Sequence, residues 1–533
     1  MKAKYLRKSL LISSILAIAI ITAVILLHFK SSVEIKAPSI SLKTAADIYD
    51  IDKQNEIWDT IETYKKDHNF TFKDPLMIQN PFQTNTQSLY VYFKTKTPSS
   101  LEYTIHVNNK NIPDFTRTCY SGNENNMTEE HEYQLIGLIP DSDNEITLRL
   151  TDSSGKTEVR EINYKAPSLL GKGKVILNKT DGESMESLSD GLYTVFAGDN
   201  FFYYYDNNGI LRSEIPIIEY RCLRLIFGND KMYYSAGKST FVEMNSLGRL
   251  TDIYDLGQYN VHHDYTFDDD GNILLLGTDT TTDRVEDRIL RLVPKTGEVS
   301  QVLDLKDIFT DYYKICVPDK EGELDWMHIN TIQWLGGGSI VLSSRETSTI
   351  LRINNLYSGP ELEYMMGTDS FWKDTDYSSY LYEKANDFKS QLGQHSITYV
   401  QDDTLEAGQY YLYLFDNNMG VSTTRPDYKW TKYFDDIGTA GTAKNDETSF
   451  FYKYLVDENS KNYDLIESFP VPYSGYMGSV EEISGNVVVN STTAMVFEEY
   501  DKNNQLICSF QTGSEKQTYR TYKYTFDNFY FYN

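Results

Sequence analysis

Short apolar runs that alternate with polar residues fill most of the chain after about residue 85, and this period of two predicts β-strands. One unit recurs beyond residue 168: an apolar and aromatic strand, an acidic or Asn/Gly turn, and a second apolar strand. It is found at residues 201–211, 241–250, 265–275, 289–299, 350–356 and 496–507. A helical period appears in this part of the chain only at residues 378–391. The pattern therefore predicts an all-β body built from repeated hairpins.

The spacing of these hairpins, about forty to sixty residues, is typical of the blades of a β-propeller. Residues 168–533 provide about 365 positions, which at roughly 45–60 residues per blade gives six blades, with seven as the upper limit. A large sandwich or a β-helix is the alternative, but strand-turn-strand repeats of uneven length favour the propeller. The 43 tyrosines agree with it, because aromatic residues favour half-buried strands.

The pattern before residue 168 is different and predicts a separate domain. Residues 45–68 have a mixed helical period and predict one or two short helices. Five strands follow, at residues 89–95, 101–107, 133–138, 145–151 and 158–164. Strands of this number and length predict a small β-sandwich, similar in size to a fibronectin-type module. Pro167 and the Gly171-Lys172-Gly173 stretch mark its end.

The apolar run at residues 10–27 follows four basic residues and is long enough to cross a membrane as a helix. A cleaved signal peptide is the alternative, but no small-residue cleavage pattern follows the run. We expect a cytoplasmic N-terminus and a signal-anchor helix at residues 1–33, a stalk and β-sandwich at 34–167, and the propeller at 168–533. The protein is then a single-pass cell-membrane protein with an extracytoplasmic body.

The net charge of −27 argues against a nucleic-acid partner, because phosphate contacts need clustered Lys and Arg. It also argues against docking on an anionic lipid surface, so membrane contact is expected through the N-terminal helix alone. The four cysteines are widely spaced, with no CxxC pair, and form neither a zinc framework nor a dense disulfide scaffold. The sequence does not define the oligomeric state, and a homodimer is compatible with it.

Histidine is scarce in the predicted propeller, where its four copies lie in polar segments. His263, His328 and His395 are separated by 65 and 67 residues, close to the length of one blade or slightly more. Because the inner strands of a propeller face a central channel, equivalent positions on successive blades can meet at one mouth. Each histidine alone is more often a structural hydrogen-bonding residue than a catalyst. Convergence of all three would instead predict a site.

Arg345 ends a predicted strand one hairpin after His328, across the turn Gly336-Gly337-Gly338. We expect the two side chains to meet at one end of adjacent strands. A guanidinium fork with several imidazoles matches a tetrahedral oxyanion of the sulfate or phosphate type. Three histidines could also hold zinc. No acidic cluster is expected beside them, and Arg345 would repel a metal, so we expect neither a metal nor another cofactor.

Taken together and in order, the motifs resemble those of the bacterial aryl-sulfate sulfotransferases, which move a sulfuryl group between phenols without a nucleotide sulfate donor. The segments that carry the resemblance are Asn80-Pro81-Phe82, His262-His263-Asp264, Asp270-Gly271-Asn272-Ile273-Leu274, Asp325-Trp326-Met327-His328-Ile329-Asn330, Ser343-Ser344-Arg345, Gln394-His395-Ser396 and Leu414-Phe415-Asp416-Asn417. The segment that ends in His328-Ile329-Asn330, with its downstream Ser343-Ser344-Arg345, is the most specific part. One departure is Glu346-Thr347 after Arg345, where the family often has His-Gln; it leaves the substrate preference open.

The resemblance implies a six-bladed propeller with its active site at one mouth of the channel. It implies that His395 attacks sulfur and carries a transient sulfohistidine, while His328 and Arg345 bind the sulfuryl oxygens. His263 would be a further oxygen-binding or proton-shuttling residue. Asn330 would be a supporting donor in the substrate site. His262 is the alternative to His263, and the sequence does not decide between them.

The predicted function is therefore ping-pong transfer of a sulfuryl group from a phenolic sulfate ester to a phenol. Two alternatives belong to other classes. The first is a surface-anchored propeller that binds a ligand or a protein partner without catalysis. The second is a metal-dependent propeller hydrolase.

Overall fold

The computed structural model describes residues 44–219, 223–444, 446–512 and 517–533. Two helices come first, α1 (Ala45–Ile48) and α2 (Ile51–Asp67), as the sequence predicts. Thr44 caps α1 by accepting from the Asp47 backbone N–H, and Asp50 caps α2 by accepting from Asp52 and Lys53. These caps satisfy backbone donors that a helix N-terminus otherwise leaves unpaired.

Six strands form the first sheet. They are β1 (Leu76–Gln79), β2 (Ser88–Val107), β3 (Phe115–Thr118), β4 (Thr128–Ile136), β5 (Asp143–Asp152) and β6 (Thr157–Lys165). The two strands predicted at 89–95 and 101–107 are the halves of one 20-residue strand, β2. Its first half pairs with β1 and β4, and its second half with β3 and β5. Apolar residues from both halves pack in one core, and β6 completes the sheet by pairing with β5.

The remaining strands are short and mostly buried. They are β7 (Asn178–Asp181), β8 (Leu192–Phe196), β9 (Phe201–Tyr205), β10 (Leu211–Pro216), β11 (Ile226–Gly228), β12 (Lys231–Gly237), β13 (Thr240–Asn245), β14 (Leu250–Asp255), β15 (Tyr259–Phe267), β16 (Ile273–Asp279), β17 (Arg288–Val293), β18 (Glu298–Asp304), β19 (Ile329–Gly336), β20 (Ser339–Ser344), β21 (Thr349–Asn354), β22 (Glu361–Met366), β23 (Glu383–Lys384), β24 (His395–Val400), β25 (Gln409–Asp416), β26 (Thr448–Asp457), β27 (Asn462–Pro472), β28 (Ser479–Ile483), β29 (Asn486–Ser491), β30 (Val496–Tyr500), β31 (Leu506–Gln511) and β32 (Thr521–Tyr524). Short helices connect some of them: α3 (Leu305–Ile308), α4 (Thr310–Ile315), α5 (Asp369–Trp372) and three 3₁₀ turns at Asp376–Tyr380, Trp430–Lys432 and Thr492–Ala494.

These strands make six sheets of four or five strands, antiparallel except where β23 pairs with β27, and each sheet contains the four antiparallel strands expected for a blade. In sequence order the sheets are β8–β10 with β32, β11–β14, β15–β18, β19–β22, β24–β27 with β23, and β28–β31 with β7. First strands of successive sheets contact one another from β15 through β19, β24 and β28 to β32. The arrangement is consistent with the predicted all-β, six-bladed propeller. All six predicted hairpins fall within these sheets.

Two strands close the ring by joining a sheet formed far away in the sequence. The late strand β32 pairs with β8, so it is the edge strand of a sheet whose other members come more than 300 residues earlier. The early strand β7 pairs with β31. Each exchange occupies an edge that would otherwise present unpaired backbone groups.

Side chains on the inner strands also link one blade to the next. The carboxylate of Asp264 on β15 accepts a hydrogen bond from the backbone N–H of Ile332 on β19, at 3.1 Å. The hydroxyl of Ser396 on β24 accepts from the N–H of Val480 on β28, at 3.3 Å. The inner strands are thereby held in a fixed register around the centre, where the predicted histidines lie.

The helical period at residues 378–391 is a wrong prediction. The structure has the 3₁₀ turn Asp376–Tyr380, followed by the two-residue strand β23, which pairs with β27. Tyr382 stacks on Tyr364 at 4.2 Å between ring centroids. Packing of this segment along a sheet overrides its local helical pattern.

Among the described residues no helix is long and apolar enough to cross a membrane. The predicted anchor at residues 10–27 lies outside those residues. Cys119, Cys316 and Cys508 are free thiols, and Cys222 is not among the described residues.

Candidate active site

Three neighbouring inner strands are irregular where the predicted histidines lie. The pairing of β15 breaks between Val261 and Tyr265, and the pairing of β24 breaks after His395. Backbone φ is +54° at His263 and +45° at His328, values that side-chain-bearing residues rarely adopt. Bulges of this kind change the direction of side chains. Backbone strain persists only where surrounding contacts stabilise it, and it is common at functional sites.

His395 is buried and has a defined tautomer. Its Nδ1 lies 2.7 Å from Asn417 Oδ1 and 3.0 Å from the carbonyl oxygen of Gly393. The amide of Asn417 is itself fixed, because its nitrogen donates to the carbonyls of Ser474 and Met477. Both groups near Nδ1 are therefore acceptors, so Nδ1 carries the proton and Nε2 keeps its lone pair.

Burial holds the pKa of His395 well below its ordinary range, although the contact with Asn417 opposes this. Positive charge on His328, His263 and Arg345 lowers the pKa of His395 further. The imidazole is therefore neutral at physiological pH, with one nitrogen available as a nucleophile.

Asn417→Ala tests the role that the family resemblance implies for His395, and we expect weaker catalysis because the imidazole stays in place but loses a hydrogen bond. Gly393 still accepts from Nδ1, but the imidazole loses one of its two hydrogen bonds. Loss of a hydrogen bond that orients a functional histidine lowers activity by about 10–100-fold. We expect a fall of that size in the rate of the first turnover, with little change in donor KM. Stopped-flow release of nitrophenolate measures it. Asn418→Ala is the matched control, because Asn418 bonds to Asp436 and Thr448 and not to His395. Equal losses in the two variants would contradict the assignment.

His328 is held by two carboxylates. Its Nδ1 lies 2.6 Å from Asp325 Oδ2 and 2.7 Å from Glu286 Oε2. Burial and the positive charge of Arg345 lower its pKa, but Asp325 and Glu286 outweigh them and raise it to about 9. His328 is therefore an imidazolium at neutral pH, with Nε2–H as a charged hydrogen-bond donor.

His263 lies beside His328, with 4.9 Å between the ring centroids. Its Nδ1 is 2.6 Å from the hydroxyl of Tyr519, and its Nε2 is 3.0 Å from Glu286 Oε2. His262 is more deeply buried, contacts His263 edge-on at 5.2 Å, and has its pKa lowered by burial to about 3. His263 is thus the member of the pair that lies against His328, a choice that the sequence left open.

Arg345 and His328 meet at the ends of adjacent strands, as predicted from the turn Gly336-Gly337-Gly338. The backbone N–H of Arg345 donates to the His328 carbonyl at 3.2 Å. Its guanidinium lies 3.6 Å from Asp325 Oδ2 and donates to Glu346 Oε2 at 3.2 Å. The buried Nε of Arg345 makes no hydrogen bond within the described residues.

The residue that departs from the family pattern, Glu346, fixes the arginine. It is fully buried, and its Oε1 accepts from the backbone N–H of Thr424 at 2.6 Å and from both neighbouring hydroxyls. Its other oxygen accepts from Arg345. The departure thus places a carboxylate behind the guanidinium, where it orients the fork.

The expectation that no acidic residues accompany the histidines is wrong. Glu286 and Asp325 both lie within the cluster. Glu286, with φ of +56°, touches His263 and His328; burial alone would raise its pKa, but the two imidazoles lower it well below its usual range. Two sets, His262/His263/Glu286 and Glu286/Asp325/His328, have ligand atoms within 4.8 Å of one another, which is close enough to hold a metal ion.

Asn330 lies behind the cluster. It is fully buried, and its amide donates to the carbonyl of Gln394, the residue before His395, at 2.8 Å. Its own carbonyl accepts from Arg520, which also donates to Asp264. These contacts suit a residue that positions β24.

Sequence reasoning missed four residues of this site: Glu286, Asn417, Tyr519 and Arg520. Asn417 lies in Leu414-Phe415-Asp416-Asn417, a segment of the family resemblance, but no role was assigned to it, and the other three lie in segments that were not singled out. The Asn417 segment comes closest, because it ends strand β25, which pairs with His395 through Phe415. Pairing β24 with β25 within the predicted blade would have placed Asn417 near His395.

Comparison with known proteins agrees with this geometry. A family model described as "Arylsulfotransferase (ASST)" matches residues 178–532, and one described as "Arylsulfotransferase Ig-like domain" matches residues 76–167. No curated protein matches the chain.

Solved structures give weaker likenesses. A proposed 6-phosphogluconolactonase from Bacteroides fragilis is 10% identical, with a TM-score of 0.34, and the match covers 80% of this chain and 99% of that one. Its counterpart from Bacteroides uniformis is 11% identical, with a TM-score of 0.34 and coverage of 80% and 96%. A protein of unknown function from Bacteroides caccae is 10% identical, with a TM-score of 0.34 and coverage of 62% and 98%. Scores this low add nothing to the fold described above.

The six sheets are consistent with a propeller, and they hold three imidazoles and a guanidinium in one site. The family model covers about two thirds of the chain and assigns the chemistry. This chain belongs to the arylsulfotransferase family, and the protein is a sulfotransferase that acts on phenolic substrates.

Proposed function

We propose that the protein transfers a sulfuryl group from an aryl sulfate to a phenol in two steps, through a sulfohistidine on His395. The observation that carries this proposal is the state of His395: a buried, neutral imidazole whose Nδ1–H is held by Asn417 and Gly393. An imidazole held in this way has its Nε2 lone pair free for attack on sulfur.

In the first step Nε2 of His395 attacks the sulfur of the ester, and the bond from sulfur to the aryl oxygen breaks. Negative charge develops on the leaving oxygen as it departs, as in the related phosphoryl transfers. The imidazolium of His328 and the guanidinium of Arg345 supply charged donors to the sulfuryl oxygens. Fixed donors of this kind stabilise the transition state because they need no reorganisation as the charge develops.

In the second step the oxygen of an acceptor phenol attacks the sulfohistidine, and the bond from sulfur to Nε2 breaks. The product ester leaves and His395 returns to its neutral form. A base must take the phenolic proton, and His263 lies in the cluster for this role. Because donor and acceptor use one subsite in turn, the kinetics are ping-pong.

Activity should fall as pH rises through about 9. The pKa of His328 is raised to about 9, so the residue is cationic below that pH and loses its proton above it. Single-turnover sulfation of the enzyme, measured without an acceptor, avoids the ionisation of the phenol. In His328→Gln we expect a lower single-turnover rate that no longer changes with pH in this range. An unchanged basic limb in that variant would contradict the assignment.

The test of the proposal uses the soluble body, about residues 44–533, with p-nitrophenyl sulfate, with and without phenol and with and without a chelator. We expect release of one equivalent of nitrophenolate without phenol, a mass increase of one sulfuryl group on His395, and turnover only when phenol is added.

The second candidate is a metal-dependent hydrolase, which the two possible ligand sets around Glu286 favour. Turnover that depends on water instead of phenol and disappears with a chelator would establish it. Turnover that survives the chelator and leaves the adduct in place would exclude it.

We further propose that residues 10–27 anchor the enzyme in the cell membrane with its catalytic body outside. The support is the basic and apolar pattern of the N-terminus. Protease added to intact cells should digest the body of the protein. Full protection in intact cells, with digestion only after lysis, would place the body inside.

A further inference from the structure

Glu346 lies against the guanidinium of Arg345 and is fully buried. Its Oε2 accepts from Nη2 of Arg345 at 3.2 Å. Its Oε1 accepts from the backbone N–H of Thr424 at 2.6 Å and from the hydroxyls of Thr424 and Thr423, both at 3.0 Å. Four donors therefore point at one side chain. A carboxylate satisfies all four because it accepts without donating, whereas a glutamine amide would turn a donor toward one of them.

The contacts around the two threonines are themselves fixed, so the carboxylate of Glu346 is held in place. The hydroxyl of Ser422 donates to the backbone carbonyl of Glu346 at 2.5 Å and accepts from Nε1 of Trp430 at 3.0 Å. The backbone N–H of Val317 donates to the carbonyl of Thr424 at 3.0 Å. An incoming anion displaces a mobile counter-ion, but Glu346 keeps its three other donors when an anion binds. Its negative charge therefore stays beside the bound substrate.

Arg345 lies between two carboxylates. Its guanidinium is 3.6 Å from Asp325 Oδ2 and 3.2 Å from Glu346 Oε2. All three side chains are largely or fully buried, so water and salt screen their charges only weakly. The fork still offers N–H donors to an anion. Each further negative charge on that anion, however, is repelled by the fixed carboxylate of Glu346.

Sulfate and phosphate esters have the same tetrahedral shape and differ in charge. An aryl sulfate has one ionisable oxygen and carries a single negative charge at neutral pH. A phosphate monoester carries nearly two, because its second pKa is about 6. An arginine fork binds both kinds of oxyanion. The shape of the ester therefore does not separate the two substrates at this fork, and its charge does.

We propose that Glu346 is a specificity-determining residue, whose fixed and buried charge makes the site of Arg345 favour singly charged sulfate esters over doubly charged phosphate monoesters. The proposal rests on the role proposed above for Arg345 in sulfuryl transfer. It gives a function to the position at which the sequence departs from the family pattern.

The test compares two unreactive ligands of the same shape, α,α-difluorobenzylsulfonate and α,α-difluorobenzylphosphonate. The fluorine atoms lower the second pKa of the phosphonate, so it carries two negative charges at neutral pH and the sulfonate carries one. Both are measured as competitive inhibitors of nitrophenolate release by the full-length enzyme. A fixed unit charge near the ligand, acting through an effective dielectric of about 20, changes the affinity for one added charge by roughly 10-fold or more.

We expect the wild type to bind the sulfonate roughly 10-fold more tightly than the phosphonate, and Glu346→Gln to lose most of this preference. Glu346→Asp keeps the charge on a shorter side chain and should keep the preference even where its turnover falls. Glu498→Gln is the matched control, because Glu498 is a buried glutamate on β30 that accepts from the hydroxyl of Tyr500 at 2.6 Å. It should keep the activity and the preference of the wild type.

A wild-type enzyme that binds the phosphonate as tightly as the sulfonate would overturn the proposal, even if Glu346→Gln does not fold. Thermal unfolding shows which variants are folded. An unchanged preference in folded Glu346→Gln would also overturn it, as would an equal loss of preference in Glu346→Asp, since geometry instead of charge would then set the selectivity.

Arg345→Met separates this failure from a failure of the proposed mechanism. If that variant binds both ligands as the wild type does, Arg345 is not the group that binds the anion, and the mechanism is wrong at that point. If Arg345→Met loses both ligands while Glu346→Gln keeps the wild-type preference, only the role of Glu346 is refuted.

Discussion

Replacement of His395 by asparagine is expected to abolish sulfuryl transfer, with a fall in kcat on the order of 10⁶-fold, as removal of a nucleophile costs in another enzyme. The amide has no nucleophilic nitrogen, so neither the burst of nitrophenolate nor the mass increase should occur. Because His395 is buried and packs against the loop that holds Asn417, folding must be checked by circular dichroism and thermal unfolding.

His106→Asn is the matched control for that variant. His106 is a half-exposed histidine in the first sheet and bonds to Asp114. It should keep full activity. A His395→Asn enzyme that stays folded and still forms the adduct would show that another group attacks sulfur. His395→Gly supplies a positive test, because added imidazole can occupy the vacated space and restore part of the turnover.

The second large effect is expected for Arg345→Met, which removes both the charge and the fork. Loss of one fixed donor to a developing oxyanion costs about 10²–10³-fold in kcat, and loss of a charged, two-pronged donor should reach the upper part of that range. Arg345→Lys keeps the charge but not the fork, so its activity should lie between those of Arg345→Met and the wild type. The first-turnover rate with p-nitrophenyl sulfate measures both.

Arg352→Lys is the control for the arginine series. Arg352 lies on β21, donates to Asn354 and pairs with Glu458, away from the histidines. Near-normal activity in Arg352→Lys with strong loss in Arg345→Met would support the assignment. If Arg345→Met instead raised donor KM and left kcat unchanged, the arginine would only bind the substrate and would not stabilise the transition state.

The sequence predicted the fold well because its signals are local. Hairpin turns and apolar strands depend on consecutive residues, and each of the six predicted hairpin segments contains a strand of the observed sheets. The exceptions are segments whose structure depends on pairing with a strand that is distant in sequence. Residues 378–391 follow β27 instead of forming a helix, and the two strands predicted on either side of residue 98 are one strand because β5 pairs with its second half.

The candidate site was predictable in part. The histidines are few, so their spacing stands out, and Arg345 follows from its hairpin and from the family resemblance. Glu286 and Tyr519 were not predictable, because the chain has 77 acidic residues and 43 tyrosines and nothing marks these two locally. Their roles depend on the positive φ at Glu286 and on the ring closure that brings Tyr519 to His263.

Because the ring closes through the last strand of the chain, the site is completed only at the end of synthesis. Tyr519 and Arg520 immediately precede β32, which completes the sheet of β8–β10. During synthesis His263, His328, Arg345 and His395 are made well before Tyr519, which emerges 256 residues after His263. A growing chain or a fragment cut before residue 519 should therefore lack the complete site. Contacts of such long range also form slowly, so a nascent enzyme should stay inactive until its whole body has been synthesised and the ring has closed.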